Sequence, residues 1–202
     1  MIGIVDYGAG NLFSVRKALD RIGLPSRPVE SPAAFSGLSG LILPGVGHFE
    51  SAAAVLAESG LLEEIRKWAA GGRPLLGICL GLQLFFERSE EGEGNRPGLG
   101  LFAGSVVKLD GPRAIHVGWN RVRIVQPGLP SLPAAESELF YFVHGYVVHP
   151  ADETLVAGLV EYGRVFPAVV GRGNVLGVQF HPEKSGRAGL ALLRAWGTTC
   201  SR

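Results

Sequence analysis

Cys79 lies between two glycines in the stretch GICLGLQ, which joins the apolar run RPLL to the apolar run LFFE. If a strand ends and a helix begins there, Gly77 and Gly81 relieve crowding around a tight turn of the kind that presents a nucleophile. The free N–H groups and the dipole of a helix N-terminus favour the reactive thiolate. The N–H of Leu80 would point at the oxygen of an attacked carbonyl. The alternative is a small buried packing residue, because free cysteines are often buried.

A thiolate that attacks a carbonyl needs a base that can also protonate the leaving group. His181 follows the apolar run NVLGVQF and precedes Pro182 and Glu183. The carboxyl ends of parallel strands are where α/β proteins place their sites, and Glu183 could orient the imidazole as the third member of a triad. The alternative is a polar loop after a strand. Together, Cys79 and His181 favour chemistry over packing.

The first half of the chain alternates between strand and helix patterns. Strands are predicted at 2–7, 40–45 and 73–79, a helix is predicted from Asn11 to a stop at Gly23, and further helical stretches are predicted at 51–72 and 80–90. Near-continuous apolar strands that alternate with helices indicate a mostly parallel central sheet with helices on both faces.

After about residue 100 the segments become short, β-rich and separated by turn residues, until a helical pattern returns at 187–198. We therefore expect an α/β fold to which antiparallel strands are added in the second half. No repeat or low-complexity linker divides the chain, so residues 1–202 are predicted to form a single domain.

Composition excludes several classes of function. A formal net charge of +1 gives no case for a nucleic-acid partner, and no apolar run is long enough for a membrane span. Two cysteines are no disulfide framework, which favours the cytoplasm, and Cys200 is expected to be an exposed residue of the tail. His, Cys, Asp and Glu nowhere show metal-ligand spacing, so no metal site is predicted.

Taken together, GICLGLQ and QFHPEKS resemble the class I glutamine amidotransferases, and the resemblance extends over essentially the whole chain. It implies the three-layer fold of that family and a Cys-His-Glu triad. Cys79 would attack the side-chain amide of L-glutamine to form a thioester and release ammonia. His181 would be the general acid and base, and Glu183 its orienting partner.

Other segments resemble one branch of that family, the glutaminase subunits of imidazole glycerol phosphate synthase. These segments are DYGAGN, LPGVGHF, GLGL, HVGWN and YFVHGY, in that order along the chain. By this resemblance, Val46 and Gly47 supply the second oxyanion donor beside Leu80. The substrate is held by Gln83, Glu91, Gly145 and Tyr146. Gly145 departs from the Ser or Thr common in the family, so a hydroxyl contact is missing there.

The resemblance also implies a partner, the TIM-barrel cyclase HisF, with which such a subunit forms a heterodimer and to which it passes ammonia. It implies no cofactor. It places five residues at the contact with the cyclase: Asn11, Trp119, Asn120, Tyr141 and Lys184.

Three alternatives stay open at this point. Another class I glutaminase, such as the one that serves pyridoxal phosphate synthesis, would need different sequences at PGVGHF and HVGWN. A non-catalytic binding subunit of the same fold would not need the triad. A thiol peptidase of related fold would not need Gln83 or the HPEK segment.

Overall fold

The computed structural model describes residues 1–94, 96–110, 114–126 and 137–200. The first half contains four short strands, β1 (Ile2–Val5), β2 (Ser26–Val29), β3 (Gly40–Leu43) and β4 (Leu75–Ile78). Its helices are α1 (Leu12–Arg21), α2 (Phe49–Glu58), α3 (Leu61–Ala70) and the single turn α4 (Leu80–Gln83). Asn11 caps α1 by accepting the N–H of Ser14, as expected for the start of that helix.

Two of the predicted helices were wrong in extent. The stretch predicted as helix over 51–72 is two helices, because Gly60 adopts a left-handed φ of 75° between them. The stretch predicted as helix over 80–90 contains only α4, and the chain then forms strand β5 (Phe86–Ser89). Phe86 pairs with Phe102 on a neighbouring strand, and this long-range pairing overrides the apolar pattern that both structures share.

The second half supplies seven further strands before the last helix. They are β6 (Phe102–Lys108), β7 (His116–Ile124), β8 (Ser137–His144), β9 (Tyr146–Pro150), β10 (Val156–Tyr162), β11 (Arg164–Arg172) and β12 (Val175–Val178), followed by α5 (Gly186–Thr199). The main sheet has the order β2-β1-β3-β4-β12-β11-β10-β7-β8. From β2 to β12 the neighbours are parallel, and from β12 to β8 they are antiparallel. A small second sheet, β5-β6-β9, was not predicted.

Helices cover both faces of the parallel part, as the sequence predicts. Ile42 packs on one face with residues of α1 and α5, while its neighbours Leu41 and Leu43 pack on the other with residues of α2 and α3. The three layers of an α/β fold are therefore present. None of the helices in the described part of the chain has the length and apolar character that a membrane crossing requires.

The expectation that Cys200 is exposed was wrong. Its side chain is buried in the same cluster as Trp196, and a Cβ placed on Gly40 would collide with it. Burial raises the pKa of the Cys200 thiol to about 11, so this thiol is protonated and unreactive at neutral pH.

Candidate active site

Cys79 occupies the tight turn between β4 and α4. Its φ of 55° and ψ of −108° make it the only residue other than glycine with a positive φ among those described. A Cβ on Gly77 would lie 2.6 Å from the ring of Phe85, and a Cβ on Gly81 would overlap the carbonyl oxygen of Leu43. Both glycines are therefore required by close packing, and the predicted strand-to-helix elbow is confirmed.

The surroundings of Cys79 combine burial with access. Its side chain is 6% exposed and belongs to a core cluster, as the packing alternative requires. Cys79 nevertheless lines a cavity of about 220 Å³, and its sulfur accepts a hydrogen bond from Gln179 Nε2 at 3.7 Å and donates one to the carbonyl of Val143 at 3.9 Å. A packing role needs no left-handed backbone, and strain of this kind is concentrated at functional sites. The geometry therefore favours chemistry.

His181 lies beside the cysteine because the strands that carry the two residues are neighbours. β12 pairs in parallel with β4, with Val178 opposite Ile78, and the N–H of Cys79 donates to the carbonyl of Val178 at 2.8 Å. His181 leaves the same sheet edge three residues after Val178. Both catalytic candidates thus stand at the carboxyl edge of the parallel strands, where the sequence predicts them.

Glu183 orients the imidazole of His181. The carboxylate Oε1 lies 2.8 Å from His181 Nδ1, and both side chains are almost fully buried. Burial alone lowers the pKa of His181, but hydrogen bonding to Cys79 and Glu183, and to a smaller extent their charge, raises it to about 10. Within the described part of the chain, His181 Nε2 makes no hydrogen bond of ordinary geometry, and Cys79 is the group with which it interacts. That nitrogen is therefore available to give and take a proton beside the sulfur.

Gln83, Gly145 and Tyr146 line the cavity, as the resemblance implies. Gln83 Nε2 donates to the carbonyl of Tyr146 at 3.0 Å and to Gln179 Oε1 at 3.2 Å. A Cβ on Gly145 would meet nothing nearer than the carbonyl of Ala114 at 3.5 Å, so the site has room for the missing hydroxyl.

Glu91 also lines the cavity, but its carboxylate already has a structural contact. Glu91 Oε2 accepts the N–H of Phe49, the first residue of α2, at 2.7 Å. A carboxylate at a helix N-terminus is stabilised by the unpaired amides there. A role for Glu91 in substrate binding therefore stays a prediction, and it would involve the remaining oxygen.

Residues 44–47 connect β3 to the start of α2 and pass beside the elbow, because Gly45 lies next to Leu80 and Gly81. The Tyr7 hydroxyl donates to the carbonyl of Pro44 at 3.0 Å, and a Cβ on Gly45 would lie 2.5 Å from the Tyr7 oxygen and 2.8 Å from the Cβ of Leu80. Gly47 differs, because it has a φ of 101° and no atom within 4 Å of its virtual Cβ. The segment is held firmly at Gly45 and has room to move at Gly47.

Three of the five residues predicted to contact a partner lie together. The rings of Trp119 and Tyr141 meet edge to face at 6.0 Å, and Lys184 Nζ lies 5.9 Å from the Tyr141 ring. Asn11 is the cap of α1, and the Asn120 side chain turns inward instead, to His116. Around the aromatic pair the outer face of β7 and β8 exposes apolar side chains: Val117, Trp119, Leu139 and Val143.

Two side chains that support the site were not predicted from the sequence, Gln179 and Tyr7. Gln179 is fully buried and joins Gln83 to Cys79, and its position two residues before His181 on an extended chain was the available signal. Tyr7 gave no such signal, because its contact with Pro44 joins two separate strand ends.

Known proteins that are similar to this chain identify its family. The family model for class-I glutamine amidotransferases matches residues 4–196. Two curated relatives are named imidazole glycerol phosphate synthase subunit HisH. The protein from Moorella thermoacetica is 50% identical over 97% of this chain and 93% of its own length. The protein from Desulfitobacterium hafniense is 48% identical over 98% and 93%.

This chain therefore belongs to the class-I glutamine amidotransferase family and, within it, to the family of HisH subunits. Solved structures show the same fold at low identity. One described as a glutamine amidotransferase has a TM-score of 0.80 at 23% identity and covers 100% of this chain and 99% of its own. PurLQS from Thermotoga maritima has a TM-score of 0.78 at 21% identity and covers 98% and 97%.

Proposed function

We propose that this chain is the glutaminase subunit of imidazole glycerol phosphate synthase, in histidine biosynthesis, and that Cys79, His181 and Glu183 are its triad. The chain hydrolyses L-glutamine to glutamate and ammonia. The observation that carries this assignment is the pairing of β4 with β12, which sets the strained Cys79 beside the buried His181–Glu183 pair at the wall of a cavity.

In the first half-reaction, the Cys79 thiolate attacks the side-chain amide carbon of glutamine and the C–O π bond becomes an oxyanion. The N–H of Leu80 lies in the first turn of α4, where a helix offers no internal acceptor, and it donates to that oxygen. His181 gives the proton on Nε2 to the amide nitrogen, the C–N bond breaks, and ammonia leaves. A glutamyl thioester on Cys79 remains.

In the second half-reaction, water takes the place of ammonia. His181 removes a proton from the water, whose oxygen attacks the thioester carbon, and the C–S bond then breaks. The new γ-carboxyl group loses its proton to the solvent to give glutamate, the thiolate is restored and His181 is again protonated. Whenever His181 is protonated, the carboxylate of Glu183 compensates the positive charge of the buried imidazolium, which is the role of the third triad member.

The second oxyanion donor is assigned to the peptide between Val46 and Gly47. The clamp by Tyr7 at Pro44 and the space around Gly47 make this peptide the movable part of residues 44–47. We infer that partner and ligand binding shift it toward the state that presents an N–H to the cavity. Replacing Gly47 by Ala restricts its backbone, so partner stimulation of glutaminase activity should fall by roughly 10²-fold, the value of one oxyanion donor. Unchanged stimulation would refute this inference.

The chain acts as a subunit, and the partner we propose is the HisF cyclase. A protein surface that buries an interface carries exposed aromatic and apolar side chains at its centre. The face of β7 and β8 around Trp119 and Tyr141 has that character, and β8 also contacts the triad, because the N–H of His181 donates to the carbonyl of Tyr141 at 2.9 Å. We propose that ammonia released beside Cys79 leaves toward this face.

The experiment is ammonia release from L-glutamine by the full chain, with and without HisF and its cyclase ligand. We expect the Cys79→Ser variant to release no ammonia while binding HisF as tightly as the wild type, since its sulfur faces a cavity and not the outer face of β7 and β8. Cys200→Ser is the matched control, because it replaces the other buried thiol far from the cavity. Turnover by Cys79→Ser would overturn the assignment of the nucleophile.

A further inference from the structure

A buried chain of hydrogen bonds leads from β7 to the cavity, and the reaction described above does not use it. Asn120 Nδ2 lies 3.3 Å from His116 Nε2, and His116 Nδ1 lies 3.2 Å from His144 Nε2. His144 Nδ1 in turn lies 2.9 Å from the carbonyl oxygen of Tyr146, which also accepts from Gln83 Nε2. Both histidines are buried, and Asn120 lies at the wall of an open groove beside Trp119.

The two ends of this chain fix the direction of every bond in it. Asn120 Oδ1 accepts the N–H of Arg121 at 2.7 Å, and its Nδ2 donates to the carbonyl of Glu161 at 2.8 Å, so the amide presents its second hydrogen to His116. At the other end, the Tyr146 carbonyl only accepts, so His144 Nδ1 carries a hydrogen. His116 must therefore accept on Nε2 and donate from Nδ1 to His144 Nε2.

This arrangement uses one hydrogen on each ring, and both histidines are neutral. Burial lowers the pKa of His116 to about 4 and that of His144 to about 3, in agreement with the hydrogen count. The His116 ring is also stacked between Phe142 and Tyr162, with ring centres 4.5 Å and 4.0 Å away, so it has little freedom to turn.

The consequence at the cavity concerns the orientation of the Gln83 amide. Its two N–H hydrogens are engaged by the Tyr146 carbonyl and by Gln179 Oε1, so its own oxygen is the atom left for the cavity. An oxygen there attracts the α-ammonium group of an amino acid, whereas an N–H₂ group in the same place would repel it. The carbonyl of Tyr146 determines which of the two orientations the Gln83 amide adopts, because it accepts only from the N–H₂ group. His144 fixes the position of that carbonyl by donating a hydrogen bond to it.

We propose that the chain Asn120–His116–His144–Tyr146 is a positioning network that fixes the Gln83 amide with its oxygen toward the cavity, and so makes the site selective for ligands with an α-ammonium group. The network starts at Asn120, whose side chain points inward but lines the same groove as its neighbour Trp119 on the face proposed for the partner. We therefore expect binding at that face to alter this selectivity. The inference rests on the proposed function for the identity of the substrate and the partner.

The test compares two ligands that differ only in the α-amino group, L-glutamate and glutarate. Each is titrated as a protectant of Cys79 against alkylation by iodoacetamide, in the full chain alone and with HisF and its ligand. Turnover plays no part in this measurement. If the wild type releases no ammonia but L-glutamate protects its Cys79 better than glutarate does, the result contradicts the proposed function and still supports the network.

Two variants break the network at different points. His116→Phe keeps an aromatic ring between Phe142 and Tyr162 but removes both of its hydrogen bonds. Asn120→Asp replaces the donor to His116 by an acceptor, so the hydrogen of the His116 ring moves from Nδ1 to Nε2. His116 Nδ1 and His144 Nε2 are then both acceptors and can no longer form a hydrogen bond with each other. For either variant we expect the preference for L-glutamate over glutarate to fall by about three- to tenfold, the value of one hydrogen bond. The rate of alkylation without a protectant should not change.

Asn174→Asp is the matched control. Asn174 Nδ2 also donates to two backbone carbonyls, those of Ala69 and Arg73, but at the edge of the sheet opposite the cavity. This variant should lose stability and keep the wild-type preference. An unchanged preference in both His116→Phe and Asn120→Asp would overturn the proposal, and so would equal protection of the wild type by the two ligands.

Discussion

Gly81→Ala tests whether the elbow and the segment that leads to Gly47 must pack as closely as they do. The added Cβ would overlap the carbonyl oxygen of Leu43 and lie 2.8 Å from its carbon, whereas Cβ atoms do not come within 3.0 Å of such neighbours. Both partners are backbone, so no side chain can turn away. Either the elbow or the end of β3 must move by roughly 1 Å, and a displacement of this size near reacting atoms costs about 10²-fold in rate.

We therefore expect kcat for ammonia release with the partner present to fall by about 10²-fold, and the free energy of unfolding in urea to fall by about 1–3 kcal/mol. Gly71→Ala is the control, because its nearest virtual contact is the Lys67 carbonyl at 3.3 Å and it lies after α3, away from the cavity. Gly71→Ala should keep the kcat of the wild type. The reasoning is refuted if Gly81→Ala also keeps kcat within about threefold of the wild type.

Glu183→Gln removes a charge that raises the pKa of His181, so the pKa of His181 should fall toward the ordinary 6.5. We expect kcat to drop by about 10²–10⁴-fold, and a pH–rate profile measures both changes. Because the pKa of His181 is raised in the folded state, its contribution to stability is complete below pH 6.5 and is lost as the pH rises through about 10. Urea unfolding of wild type and variant should therefore differ more at pH 6 than at pH 10; an equal difference would contradict a charged pair. Gly145→Ser should fold normally, since only ordinary contacts await its Cβ, and should lower the KM for glutamine about three- to tenfold through one added hydrogen bond. An unchanged KM would show that the hydroxyl does not reach the substrate.

The elbow could be predicted from sequence because everything that defines it is local. Two glycines flank Cys79, an apolar strand precedes it and a helical turn follows it within a few residues. The same holds for the cap at Asn11 and for the position of His181 after β12. Short-range patterns of this kind report directly on backbone conformation.

The errors arose where distant parts of the chain decide the structure. Residues 84–90 have a pattern that fits a helix or a strand, and pairing with β6 selects the strand. The tail cysteine is buried because α5 packs against the edge of β3 at Gly40. Gln179 and the His116–His144 pair have no sequence signal of their own, since their partners lie many residues away and only the folded sheet brings them together.

The ladder between β4 and β12 has a consequence for how such a chain can change. Nucleophile and base are separated by half of the sequence, yet one pair of adjacent parallel strands sets the distance between them. Residues can be inserted into or removed from the surface turns of the intervening half without altering that distance. The antiparallel strands in this half form the face proposed for the partner. The fold thus lets a new docking surface evolve while the hydrolytic centre keeps its geometry.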